Sequence, residues 1–268
     1  MANKTLGILG IFVVLACSGW GAGSGRQTAA KESPGDAERE NLLRTAPIIT
    51  IAKQESTGRT SAWIVYLNDG QKANRAIFKY VNRRRPKNLP TSYRYELAAY
   101  ELNKLLGLEL VPPTVERTIE GRPGSLQGYC EGVISEASRR RKKLAPPDVV
   151  RLQNSFSELG LFENLSNTPR DDASDILLNI GDWKVWRVDF SEAFAPDAAL
   201  LPDSPFPRCS RRLFQRLREI TDSEFSDRLT AFLNEEEIST LLARKRLILD
   251  KLEGLIREKG EAAVLFEP

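Results

Sequence analysis

Histidine is missing from all 268 residues of this sequence. That absence excludes Ser-His-Asp and Cys-His nucleophilic catalysis and removes the commonest ligand of protein-bound zinc. Any catalysis must come from carboxylates, Lys or Arg, or hydroxyls, with or without a hard metal ion. A large excess of one charge is missing too: 39 Lys and Arg face 36 Asp and Glu, a net charge of +3. That balance is too even to point to nucleic acid as a partner. An apolar run from Leu6 to Ala16 is too short to cross a bilayer comfortably as a mature helix. What is present, 41% hydrophobic and 28% charged residues, describes an ordinary globular protein with room for one large domain or two small lobes.

The first residues read as a targeting segment. Lys4 is followed by the apolar run and then by small residues, so residues 1–23 are expected to direct export. "VVLAC" resembles a bacterial lipobox, which makes Cys17 the lipidated first residue of a cell-envelope lipoprotein. Cleavage among the small residues near Gly21 to Gly23 gives instead a periplasmic or secreted protein. Either way Cys130 and Cys209 are the thiols left in the fold, in a compartment that permits a bridge, and two buried unpaired cysteines are expected. Residues 24–45 are polar and contain Ser, Gly and Pro without a clear period. They read as a disordered tether.

Order is expected from Ala46. "APIITIAKQ", "SAWIVYLND" and "RAIFKYV" are β-rich runs, and Asp69-Gly70 marks a hairpin between the second and third. The turn "ESTGRTS" holds one glycine among hydroxyls. It reads as a plain hairpin loop or, less specifically, as a phosphate-contacting one. "SYRYELAAYELNKLLG" predicts a helix capped by Ser92 and stopped by Gly107, with Leu97, Tyr100 and Leu105 on its buried face. Two further strands meet at Glu120-Gly121, and from Pro146 the chain is mainly helical. Asn234 and Glu237 stand in capping-box positions before an apolar stripe at 238, 241, 242, 248, 249, 252, 255 and 256. The fold class is α+β, with a β-rich part over 46–132 and a helical part over 133–268.

Three blocks carry a family resemblance: "SYRYELAAYELNKLLGLELVPPTVER", "GRPGSLQGYCEG" and "LLARKRLILDKLEGLIREKGEAAVLFEP". Together they resemble bacterial proteins related to phosphatidylinositol 3- and 4-kinases, which share the broader protein-kinase-like fold with HipA-type and secretory-pathway kinases. The resemblance covers about residues 46–268 and implies a two-lobed fold with ATP and magnesium bound between the lobes. It makes Lys79 the phosphate-binding cation and Glu96 the acid that holds it. It also places Gln127 and Tyr129, in "GSLQGY", along the strand and hinge that border adenine, where backbone groups do the recognition.

The expected catalytic loop departs from the family pattern of Asp-Arg, three residues and Asn. Counting back without gaps from "DILL" puts Asp175 at the Asn position and Arg170 at that of the catalytic Asp. A carboxylate at 175 suits magnesium, but Arg170 stays protonated and cannot accept a proton. A one-residue slip brings Asp171 into the role of base. Asp189, in "RVDFSEAF", stands at the second metal-binding position, with Asp172 and Glu192 adding negative charge nearby. Read without the family, Asp171, Asp172 and Asp175 make a solvated acidic turn after Pro169.

Export and the altered loop together favour a degenerate kinase that binds nucleotide and magnesium, because ATP is scarce outside the cytoplasm. The alternative is an active ATP-dependent phosphotransferase that uses Asp171 on an unidentified protein or lipid substrate. The basic runs at 82–87, 139–143 and 208–212 read as solvated loops, with anionic headgroups as the competing partner. They lack the interleaved aromatics of a nucleic-acid site.

Overall fold

A computed structural model describes residues 34–53, 61–85, 88–168 and 173–267. The chain begins with helix α1 (Pro34–Thr45) and strands β1 (Ile48–Lys53), β2 (Ala62–Asn68) and β3 (Ala73–Lys79). A ribbon of β4 (Asn82–Arg85) and β5 (Asn88–Ser92) leads into helix α2 (Tyr93–Leu105), then β6 (Thr114–Ile119) and β7 (Arg122–Gly128). Strand β8 (Val133–Ser135), helices α3 (Glu136–Arg141) and α4 (Val149–Ser166), and strands β9 (Ile176–Asn179) and β10 (Val185–Arg187) follow. The chain ends with β11 (Cys209–Ser210), α5 (Arg211–Glu219), α6 (Asp222–Leu229), α7 (Glu235–Lys259), α8 (Glu261–Val264) and β12 (Leu265–Phe266). The protein is therefore a mixed α+β fold. No helix of the described residues is long and apolar enough to cross a membrane.

The main sheet has five antiparallel strands in the order β1-β2-β3-β7-β6. Its hairpins lie where the turn residues require. Gly70 adopts φ +90°, and Glu120 and Gly121 adopt φ +50° and +73°, the left-handed pair that matches the twist of two flanking strands. Alternation along β2 sends Trp63, Val65 and Leu67 into one face, where they pack with Phe78, Val115 and Leu126. The opposite face meets α2.

Helix α2 is capped as its sequence predicts, with the Ser92 side chain accepting from Arg94 N. Two of the three residues assigned to its buried face, Leu97 and Tyr100, are almost wholly enclosed, and Leu105 is buried as well. The helix packs on β6, β7 and α6, joining the sheet to a second and larger core built from α4, α5, α6 and α7. Helix α7 begins with the expected capping box, the Asn234 and Glu237 side chains each bonding the other's backbone N–H. All eight positions of its apolar stripe face that core.

One expectation is corrected. Residues 34–45, part of the stretch read as a disordered tether, form α1. The helix lies on β6 and β7 and buries Leu43 with the sheet core, while Arg117 donates to the carbonyls of Leu43 and Ala46 at 2.8 Å. Glu40 accepts from Tyr100 Oη at 2.9 Å and Lys104 Nζ at 3.1 Å. These partners come from outside the segment, so its own composition did not signal them. Residues 1–33, including Cys17 and the whole expected export signal, lie outside the described residues. Cys130 and Cys209 are both free thiols. Burial raises both, Cys130 to about 11, so neither is a ready nucleophile.

Candidate functional site

Lys79 is the last residue of β3, paired between Ala62 of β2 and Ser125 of β7. Strand alternation puts it on the face toward α2. Glu96 lies in the first turn of α2, where the positive end of the helix favours a carboxylate. Asp189 follows β10 on a turn with φ +62°, a left-handed conformation uncommon outside glycine and held here by its neighbours.

These residues converge although they are far apart in sequence. Lys79 Nζ donates to Glu96 Oε1 at 2.6 Å and to Asp189 Oδ1 at 2.7 Å. Glu96 Oε1 also accepts from the Phe190 backbone N–H at 3.1 Å and from Ser191 Oγ at 2.8 Å. The Ser92 N–H, at the cap of α2, donates to the Ser191 carbonyl at 2.9 Å. The first turn of α2 and residues 189–191 are thus laced together. Phe190 anchors the turn from beneath, fully buried and edge-on to Phe162 at 5.8 Å.

The electrostatics follow from this packing. Burial works against a charged Lys79, but Glu96 and Asp189 outweigh it and hold the ammonium above its ordinary range. Burial likewise works against an ionised Asp189, yet Lys79 and hydrogen bonds from Ser191 hold its carboxyl below the usual carboxylate range. Both groups are therefore charged at neutral pH. Glu96 is buried, whereas the Asp189 side chain retains 42% of its exposure and can meet a ligand.

Asp175 stands immediately before β9, and its carbonyl accepts from the Val188 N–H at 3.0 Å, next to Asp189. Its carboxylate is 3.6 Å from Nη1 of Arg187, a fully buried side chain on β10. Arg187 Nε also lies 3.3 Å from Oε1 of Glu163, which is completely enclosed on α4. This Glu163–Arg187–Asp175 chain was not anticipated from the sequence. Its signal was present in "WKVWRV", where strand alternation points Arg187 the same way as buried Val185.

Other expected site residues stand elsewhere. Gln127 is buried in β7 and donates from Nε2 to Thr114 Oγ1 at 3.0 Å. Tyr129 lies under the Arg75 guanidinium, 4.0 Å from its ring, and its backbone N–H donates to the Arg75 carbonyl. The Gly128 N–H donates to the Pro113 carbonyl, so these two N–H groups are engaged within the fold. Asp171, expected as the base, lies outside the described residues with Arg170 and Asp172. The described chain stops at Thr168, just after Asn167 closes α4 in a left-handed conformation, and resumes at Ala173.

The site's chemistry is that of an anion cradle with hard oxygen donors. Lys79 offers a fixed cation, and Asp189 offers an accessible carboxylate beside it. Among the described residues no group of three or more His, Cys, Asp or Glu side chains could hold a metal ion. A magnesium ion held jointly with phosphate oxygens needs only one or two protein carboxylates, and Asp189 and Asp175 are the carboxylates that would supply them. The Arg187 charge beside Asp175 weakens that second position. No protein-family model matches the chain, and no curated protein matches it.

Proposed function

We propose that this chain is a two-lobed kinase-like protein that binds a nucleotide and magnesium between its sheet and its helical part, and that phosphoryl transfer is degenerate. One observation carries the reading. A strand lysine has both an acid in the first turn of the following helix and an acid after a β9–β10 hairpin within 2.7 Å of its Nζ. Phosphoryl transfer uses such a set to fix a cation on nucleotide phosphates and to hold the metal that bridges them. Lys79 would contact the phosphates, Glu96 would keep Lys79 in place, and Asp189 with Asp175 would hold magnesium. When bound, magnesium supplies charge neutralisation of the phosphates. The sheet joined to a helical core through α2 supports the reading, because the resemblance to phosphatidylinositol 3- and 4-kinase-like proteins implies a β-rich part linked to a helical one.

Two features weigh against efficient turnover. Arg170, at the ungapped position of the base, cannot take a proton from a nucleophile. Arg187 already neutralises part of Asp175. The competing reading, an active phosphotransferase, assigns the base to Asp171. Transfer of labelled phosphate from ATP, measured for the wild type, Asp171→Asn and Lys79→Ala, separates the two. The degenerate reading expects wild-type transfer no faster than Lys79→Ala. Clear wild-type transfer that Asp171→Asn abolishes, with nucleotide binding intact, would establish the active reading instead.

A further inference from the structure

We infer that the exposed segment from Arg139 to Val150 is a docking surface for an anionic phospholipid bilayer. It includes none of Lys79, Glu96, Asp175 and Asp189 and does not depend on the function proposed above. Between residues 140 and 150 every residue except Pro146 is exposed. The segment begins with five consecutive cations, Arg139 to Lys143, and contains one acid, Asp148. Arg139 and Arg140 are bonded to buried Glu136, which pins the end of α3, and Lys142 and Lys143 make no ion pair among the described residues. Leu144 directly follows the cations, and Val149 and Val150 follow Asp148; the three are 38%, 52% and 56% exposed.

That order is informative. Single exposed aliphatics are ordinary on a protein surface, but here three stand on one short segment that also carries a basic run. Cations next to protruding apolar groups match the two layers of an anionic membrane surface, charged headgroups above acyl chains. The segment also has depth. Ala145, Pro146 and Val149 border an open cavity of about 610 Å³ whose far wall includes Phe156 and Arg208. Arg208 adds a further cation to that wall, held there by a bond from Nη1 to Asn154 Oδ1 at 3.1 Å.

Amide hydrogen exchange of the full chain reads the segment directly, whatever else on the chain touches lipid. The probes are vesicles of phosphatidylcholine, alone or mixed with phosphatidylglycerol. Exchange at 140–150 is expected to slow on the mixed vesicles, to be unchanged on phosphatidylcholine, and to recover in high salt. In the variant Lys142→Gln with Lys143→Asn, protection on saturating mixed vesicles should fall by about 25-fold, about fivefold per cation. Asn is used at 143 because the backbone there has φ +53°, which Asn tolerates. Val149→Ser with Val150→Ser should also reduce protection. Unchanged exchange at 140–150 on mixed vesicles, equal slowing on neutral ones, or protection that ignores both double variants would each overturn the assignment and leave the segment to solvent or to a protein partner.

Discussion

Lys79 Nζ stands 2.6 Å from Glu96 and 2.7 Å from Asp189, so one ammonium ties the sheet, α2 and the turn after β10 into one cluster. Glu96 is the most enclosed of the three. Its negative charge in the interior is tolerable only because Lys79, Ser191 and the Phe190 N–H satisfy it.

Removing Lys79 should therefore cost fold stability as well as ligand binding. Lys79→Met leaves a buried carboxylate without its cation and should destabilise by about 3 kcal/mol, the low end for breaking a buried pair. Urea denaturation would measure it. Restoring stability with the double variant Lys79→Met, Glu96→Leu would confirm that the orphaned charge is the cause.

Lys79 and Asp189 together set a pH plateau. Asp189 is held below its ordinary value of 3.8, so its contribution is complete above about pH 4 and is lost as pH falls through the folded-state value. Lys79 is held above 10.5, so its contribution is complete below that pH and is lost as pH rises through the folded-state value. Thermal midpoints of the wild type should decline on both sides of this plateau. Asp189→Asn should flatten the acid limb in particular.

A third expectation concerns close packing beside the lysine. A Cβ at Gly124 would lie 2.4 Å from the Lys79 carbonyl and 2.6 Å from the Phe78 ring, whereas one at Gly128 meets nothing nearer than 3.7 Å. Gly124→Ala should force β7 away from β3 at a cost of about 2 kcal/mol and weaken nucleotide binding together with stability. Gly128→Ala should be near neutral. Equal effects at the two positions in denaturation would contradict this geometry.

Much of this architecture was legible in local chemistry. The Asp69-Gly70 and Glu120-Gly121 turns, the Ser92 cap and the capping box at Asn234 and Glu237 are decided by neighbouring residues, and the structure shows each of them. Asn234→Ala should accordingly cost about 1 kcal/mol. Helix α1 was not legible, because Leu43, Arg117 and Tyr100 hold it from distant parts of the chain. The convergence of Lys79, Glu96 and Asp189 was anticipated from resemblance rather than periodicity. The Glu163–Arg187–Asp175 chain escaped notice because a buried ion pair looks, in sequence, like two ordinary surface charges.

In the proposed function, nucleotide binds through magnesium at Asp189 while Lys79 holds the phosphates. Calorimetric titration of ATP into the full chain, with and without magnesium, tests it most directly, using wild type and Asp189→Asn. Asp189 is the substitution of choice because its side chain is partly open to solvent and its loss leaves Lys79 paired with Glu96. The wild type should show a binding heat that grows with magnesium, and Asp189→Asn should stay folded and lose the magnesium-dependent part. No binding heat from the folded wild type with magnesium present, or magnesium-dependent binding that Asp189→Asn leaves unchanged, would contradict it.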